Sequence, residues 1–461
     1  MSVRNWWFMI AVGLGVLLNP LNSSMIAVAI PNLQNVFHLN FADVSWMIFS
    51  FYIASSIAQP IMGKASDLFG RRRIFLIGLV VVFIASLGAP FSPSFGWLIL
   101  FRIIQSIGTS MIVGVGMALV RVHITDNQAT ALSVLSIFLS GAAAMGPFVG
   151  GVLLHVWAWQ AILLVNIPIV VVSFILAWNM IPKDVPSRSM AEGMTFRNWI
   201  HFIDAPGIIL FTVGLITLLV SVLSAKSTSH ISLAHVGLGV VGLIALAVFA
   251  RYEFKAATPF IPLRTFLKYP ALFRLNIEFM LVNLLYYSLF FGLPSYLQMV
   301  RHVSEFHTGI LMLSLGLSSL VTSPFAGRWI DRSGPNLALQ VSTLLMTLGS
   351  IWLVLLNPSS PIVSVCVALA AFGISNGLNN VAMQVALFKA SPKAIIGVTS
   401  GLFNTSRYFG TILSSLLIGI VMGDQFSAKG LSVLGIILTL IALSLVILSW
   451  RRGELGQFEK E

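Results

Sequence analysis

The feature that most limits this chain is the recurrence of apolar runs about 20 residues long, the length a helix needs to cross a hydrocarbon core. Fourteen such runs can be counted. The first seven are Phe8 to Ile30, Ala42 to Met62, Ile74 to Pro90, Gly96 to Val120, Ala129 to His155, Ala161 to Ile181 and Pro206 to Leu223. The others are Leu233 to Ala250, Ala271 to Gln298, Thr308 to Gly327, Asn336 to Leu356, Pro361 to Leu387, Ile396 to Met422 and Leu431 to Trp450. In lipid every backbone polar group must be satisfied within the segment, so runs of this length and composition predict helices. Only 9% of the 461 residues are charged and 57% are apolar, whereas soluble domains carry about a quarter charged residues. A soluble globule is excluded, and an all-α integral membrane protein with 14 transmembrane helices is expected.

Charge sets the expected orientation. A net charge of +12 would suggest nucleic acid for a soluble chain, but here the basic residues sit in short turns between apolar runs. With Arg102 and Arg407 taken as intramembrane, only Lys226, Arg301 and Lys429 of the 26 basic residues fall in the alternate set of loops. The positive-inside rule then places both termini in the cytosol and leaves no role for nucleic acid. The first run is too long for a signal-peptide core and lacks a cleavage-like end, so it is expected to be retained. The single Cys366 allows no internal disulfide. No GxxxxGK[ST] phosphate loop occurs, which points to an ion gradient as the energy source. His38, His155 and His230 show no metal-ligand spacing. Neither a metal, a cofactor nor an enzymatic activity is expected.

The turn GKASDLFGRRR, Gly63 to Arg73, lies between the second and third runs. Asp67 stands four residues before Arg71, a spacing that suits a helix-end ion pair and a switching contact. GRWIDRSG, Gly327 to Gly334, repeats the glycine, acid and glycine spacing of Gly63, Asp67 and Gly70, with Asp331 in the place of Asp67. Two six-helix halves follow, with two additional spans between them. The predicted divisions are 1–182, a linker 183–205, the additional spans 206–250, a loop 251–270, a second bundle 271–450 and a tail 451–461. Parallel halves of this kind enclose a midplane cavity opened alternately by rocking.

Polar groups inside spans carry the chemistry. Arg102, with Gln105 three residues on, lies in the fourth run, where a charge is costly and functional by default, snorkelling being the alternative. Glu278 lies well inside the ninth. A carboxyl in apolar surroundings can take up and release a proton, and a structural pair with Arg274 is the alternative. Asn376, Asn379, Asn380 and Gln384 recur at helical spacing, as do Asn283, Tyr286, Tyr287 and Phe290. Each set serves as helix glue or lines a tolerant pocket. In the fifth run GAAAMGPFVGG, Gly141 to Gly151, places Ala142, Gly146 and Gly150 on one stripe that permits close helix approach, and Pro147 permits a bend.

These motifs, in this order, resemble the major facilitator superfamily of secondary transporters and, within it, the 14-helix drug/proton antiporter branch. The resemblance also rests on Asn166, Pro168, Asp204, Gly207, Arg251, Glu253, Pro259 and Pro262, and on Pro294, Tyr296, Gly397, Asn404, Thr405, Arg407 and Gly410. It implies a major facilitator fold in a 6+2+6 arrangement and residence in a bacterial inner membrane. Gating is implied for Gly63, Asp67, Gly70, Arg71 and Asp331, and proton coupling for Arg102, Glu278 and Arg407. Gly141, Gly146, Pro147, Gly150 and Gly151 are similar to the antiporter signature. A substrate cavity is implied at Asn22, Gln105, Asn283, Tyr286, Tyr287, Phe290, Asn376, Asn380, Gln384 and Asn404. Two departures stand out: Ser106 where relatives carry glycine, and Asn22 where many carry an aspartate that attracts cations. The expected activity is proton-coupled export of lipophilic small molecules by a monomer. A dedicated exporter of one amphipath, such as a lipid, fatty acid or siderophore, is the alternative, and a non-transporting receptor ranks below it.

Overall fold

A computed structural model describes residues 3–124, 128–183, 204–227, 233–256, 259, 261–391, 396–422 and 426–455. Among the described residues 14 helices are long and apolar enough to cross a membrane. The first seven are α1 (Val3–Phe37), α2 (Phe41–Gly63), α3 (Arg71–Phe91), α4 (Phe95–Val120), α5 (Ile137–Val156), α6 (Ala161–Met180) and α7 (Ala205–Val222). The rest are α8 (Leu233–Glu253), α9 (Pro270–Met299), α10 (Glu305–Ser333), α11 (Pro335–Leu355), α12 (Ile362–Ala390), α13 (Gly401–Met422) and α14 (Ala428–Trp450). The largest departure from the apolar runs is at α1, whose backbone stays helical through Pro31 to Phe37 although Asn32 and Gln34 end the apolar run. Hydrophobicity marks the lipid-crossing part of a helix, not its end.

Helix starts follow local chemistry. The side chain of Asn40 accepts a 2.7 Å bond from the Asp43 N–H just ahead of α2, and Ser304 caps α10 by accepting from the His307 N–H. Each satisfies an amide that the first turn leaves without a partner. Gly70 and Gly334 precede α3 and α11 with φ of 97° and 76°, a conformation reserved for glycine. They occupy matching places in the two repeated turns.

The chain forms two compact units, one of Met1–Asn22, Trp46–Leu139 and Gln160–Lys268, the other of Ser23–Ser45, Ser140–Trp159 and Tyr269–Glu461. In the first, α4 packs on α2 and α3, and α6 packs on α1 and α3. Its core joins Phe8, Met9 and Val12 to Phe75, Leu79, Ile112 and Val115. In the second, α12 packs on α10 and α11, and α14 on α11. The pairs α2–α4, α3–α4 and α3–α6 therefore recur eight helices later. The compact units and the repeated segments are different divisions of the chain: the repeat relates sequences, whereas the units relate contacts, and the latter parts of α1 and α5 pack in the second unit.

The helices α7 and α8 pack on each other. Gly214 and Gly242 admit Leu246 and the Leu218 backbone, and Phe211 lies 5.4 Å from Phe249. Only 11% of the apolar stretch of α8 is buried, against 78% for α9. Such a pair presents a broad apolar surface to lipid and is held by small residues at its seam.

Candidate functional site

In the first unit, Arg102, Gln105, Ser106 and Thr109 fall on one face of α4, three to four residues apart. Arg102 is 1% exposed. Its Nη1 donates to Gln105 Oε1 at 2.7 Å, and Gln105 Nε2 donates to Ser86 Oγ at 2.9 Å. The guanidinium lies 4.4 Å from the Phe51 ring centre, and its Nε has no hydrogen-bond partner. Ser106 and Ser55 are bonded at 2.7 Å, and Asn19 donates to Thr109 at 3.1 Å. A charge at the centre of a span costs about 3 kcal/mol on insertion scales. The side chain does not snorkel; it is held inside by α2 and α3. Asn22 is equally engaged: its Oδ1 accepts from Asn166 Nδ2 at 2.7 Å, and its own Nδ2 donates to Leu18 O at 2.8 Å.

In the second unit α9 and α13 lie against each other. A Cβ at Gly410 would stand 2.3 Å from Met280 O, so only glycine permits this approach. Phe279 and Phe403 stack at 3.7 Å, and Ser406 Oγ donates to Asn276 Oδ1 at 2.8 Å. This seam carries Arg407, whose guanidinium lies 5.2 Å from the Tyr408 ring centre. Tyr286, Tyr287, Phe290 and Phe291 form an aromatic bed, with Tyr287 and Phe291 stacked at 5.6 Å. Asn283 is buried and donates to Phe279 O at 2.7 Å, while Asn404 is half-buried.

Glu278 is 2% exposed and accepts from Arg274 Nε at 2.9 Å. Arg274 also donates to Leu448 O, which ties α9 to α14. The structural pair with Arg274 weighed from sequence is present.

The amides of α12 divide between two tasks. Asn379 is buried and donates to Ser342 Oγ of α11 at 2.9 Å, an interhelical bond. Asn376 is half-buried and bonds Ser319 of α10 at 3.2 Å, while Asn380 and Gln384 on the same stripe are exposed.

The glycine string of α5 makes a three-helix seam within the second unit. A Cβ at Gly146 would stand 1.7 Å from Ser24 Oγ, one at Gly150 3.0 Å from Met25 O, and one at Gly151 2.6 Å from Glu305 O. From the other side, Gly309 of α10 lies on Pro147 O and Gly316 on Ala144. Ser24 Oγ donates to Ala142 O at 3.4 Å. Backbone therefore rests on backbone at these glycines, beside the Phe306 ring, which meets Phe148 and His155. Gly141 borders nothing within 4 Å and lies outside the seam.

At the repeated turns, Gly63 and Gly327 have open space around them, Asp331 is exposed and Arg71 half-buried. Arg72 donates to Trp178 O at 2.6 Å, and this bond fixes the start of α3 to the end of α6. The side chain of Asp67 lies outside the described residues. Among the described residues no three His, Cys, Asp or Glu gather as metal ligands would.

Sequence reasoning overlooked Tyr408, Ser24 and Met25. Tyr408 follows Arg407 directly, and an arginine inside a span followed by a tyrosine was a readable signal. Ser24 and Met25 carried none, since partners across a glycine seam meet only in three dimensions.

Residues 12–415 match the Major Facilitator Superfamily. The chain is 42% identical over 431 residues to the uncharacterized MFS-type transporter YwoD of Bacillus subtilis (strain 168), covering 94% of this chain and 93% of that one. It is 26% identical over 437 residues to the tetracenomycin C resistance and export protein of Streptomyces glaucescens, covering 92% and 78%. Among solved structures, a bacterial homologue of the human lysosomal transporter Spinster superposes with a TM-score of 0.68 at 14% identity, covering 97% of this chain and 98% of that one.

Proposed function

Because this chain belongs to the Major Facilitator Superfamily and is a multi-pass membrane transporter, we propose that it exports lipophilic small molecules from the cytosol or inner leaflet of a bacterial inner membrane in exchange for protons. The carrying observation is the seam of α5 with α1 and α10. Contacts that rest on backbone and small residues separate without unthreading side chains, as a gate in an alternating-access cycle must. The seam lies at the ends of α1 and α5 remote from the chain termini, the outer face if the termini are cytosolic. Glu278 and Arg274 supply the proton-responsive pair. Arg102 and Arg407 act in the coupling network, and the turns at Gly63 and Gly327 switch on the cytosolic side.

A valine at Gly151 tests the gate. In a Cys366→Ser background carrying Ser24→Cys, the cysteine is buried and should resist a membrane-impermeant maleimide. Adding Gly151→Val should expose it to the reagent and abolish efflux while the protein still reaches the membrane. Unchanged labelling together with normal efflux would remove the seam from the mechanism. The relative that exports tetracenomycin C favours a second reading, a carrier dedicated to one compound. A panel of unrelated dyes separates the two, since a dedicated carrier moves none of them.

A further inference from the structure

On α12 an exposed amide interrupts a covered face. Asn380 is exposed, yet the residues that share its stripe are not. Gly373 and Gly377 are buried, with Cβ positions that would stand 2.3 Å from Leu315 O and 2.6 Å from Ser319 O of α10. Met383 and Leu387 are each 1% exposed. At about 100° per residue, all four lie within about 60° of Asn380. The side of α12 suited to lipid lies elsewhere: Val367 is 47% exposed and stands nine residues before Asn376, hence on the opposite face. Asn380 therefore marks an opening in the packed side of the helix, where a polar group meets water or a ligand because lipid cannot satisfy it.

The amide at this opening is held from behind. Asn380 Nδ2 donates to Asn376 Oδ1 at 3.2 Å, and Asn376 Nδ2 donates to Ser319 Oγ at 3.2 Å, so a chain of bonds runs from α10 to the opening. Among the described residues this uses one N–H of Asn380 and leaves its other N–H and its carbonyl to a ligand. Gln384, one turn further on, is exposed as well and offers a second amide. The stripe itself is uncharged. Lys389 of α12 stands nine residues after Asn380, and Arg328 of α10 nine after Ser319, each on the opposite face of its helix.

We propose that Asn380, oriented by Asn376 and Ser319, recognises uncharged cargo that carries an N–H and a C=O side by side: a lactam, an imide or a primary carboxamide. A side-chain amide meets such an edge with two parallel hydrogen bonds, as asparagine and glutamine meet the edge of adenine. The proposal deepens the transport reading above and takes its purpose from it, but binding alone tests it. The full chain in phosphatidylcholine nanodiscs is titrated with 4-amino-1,8-naphthalimide and with its N-methyl derivative, and partition into empty nanodiscs is subtracted. The derivative is the more lipophilic and lacks the imide N–H. Apolar contact alone would favour it, whereas the site should hold the parent about tenfold more tightly. Asn380→Ala should erase that preference, and Asn380→Gln should keep part of it. Ser319→Ala, which releases the far end of the chain, should weaken the parent several-fold and leave the derivative unchanged; if Asn380→Ala cannot be purified folded, this comparison decides. Equal or tighter binding of the derivative by the unaltered chain, or an undiminished preference in Asn380→Ala or Ser319→Ala, overturns the proposal. No gradient is applied, so the outcome is independent of whether transport is proton-driven.

Discussion

Glu278 is bound to Arg274, and Arg274 bridges in turn to Leu448 of α14. Protonating the carboxyl removes the charge that holds the guanidinium and so loosens one tie between α9 and α14. Glu278→Gln is therefore expected to lower pH-gradient-driven efflux by about tenfold or more, the effect of some 1.4 kcal/mol on a coupled step, while energy-independent counterflow persists. Efflux and counterflow measured side by side in vesicles check this, and undiminished driven efflux would leave the pair with a purely structural role. The amides of α12 give a second contrast. Asn379→Ala removes a buried bond to Ser342 and should lower stability by about 1 kcal/mol, the scale of interhelical hydrogen bonds in membranes. Asn380→Ala, at an exposed position, should leave stability unchanged and alter the cargo profile. Denaturation in detergent and a transport panel separate the two effects.

At the scale of elements, the repeated turns show how a short motif encodes a joint. Gly70 and Gly334 both hold positive φ, at 97° and 76°, whereas a Cβ at Gly327 would meet nothing within 4 Å. Gly334→Ala is expected to destabilise the protein by roughly 1–3 kcal/mol through backbone strain, and Gly327→Ala should be neutral in the same denaturation series. Helices were the most legible elements, because an apolar run of span length in lipid has almost no other way to satisfy its backbone. The α5 string showed that something approaches closely. That the approaching elements are α1 at Ser24 and Met25 and α10 at Glu305 and Gly309 was not legible, since a glycine leaves its partner unspecified. For Glu278, sequence offered a proton carrier or an ion pair, and the 2.9 Å contact supplies the pair. The resemblance implies cavity lining for Gln105 and Asn22, and their interhelical bonds to Ser86 and Asn166 are contacts that hydropathy does not reveal.

For the whole molecule, the recurrence of α2–α4, α3–α4 and α3–α6 as α10–α12, α11–α12 and α11–α14 shows one packing scheme used twice, as the repeated turns imply. The additional pair α7–α8 packs on itself, and only 11% of the apolar stretch of α8 is buried. We propose that this scaffold moves an amphipathic molecule one way while hydrogen ions move the other. The most direct measurement places the purified full chain in sealed proteoliposomes with an imposed pH difference and follows both a fluorescent amphipath and internal pH. Cargo should accumulate against its gradient in the direction set by the proton gradient, with equal loss of both signals when a protonophore is added. Accumulation unaffected by the protonophore, or proton flux that does not change when cargo is supplied, would contradict it.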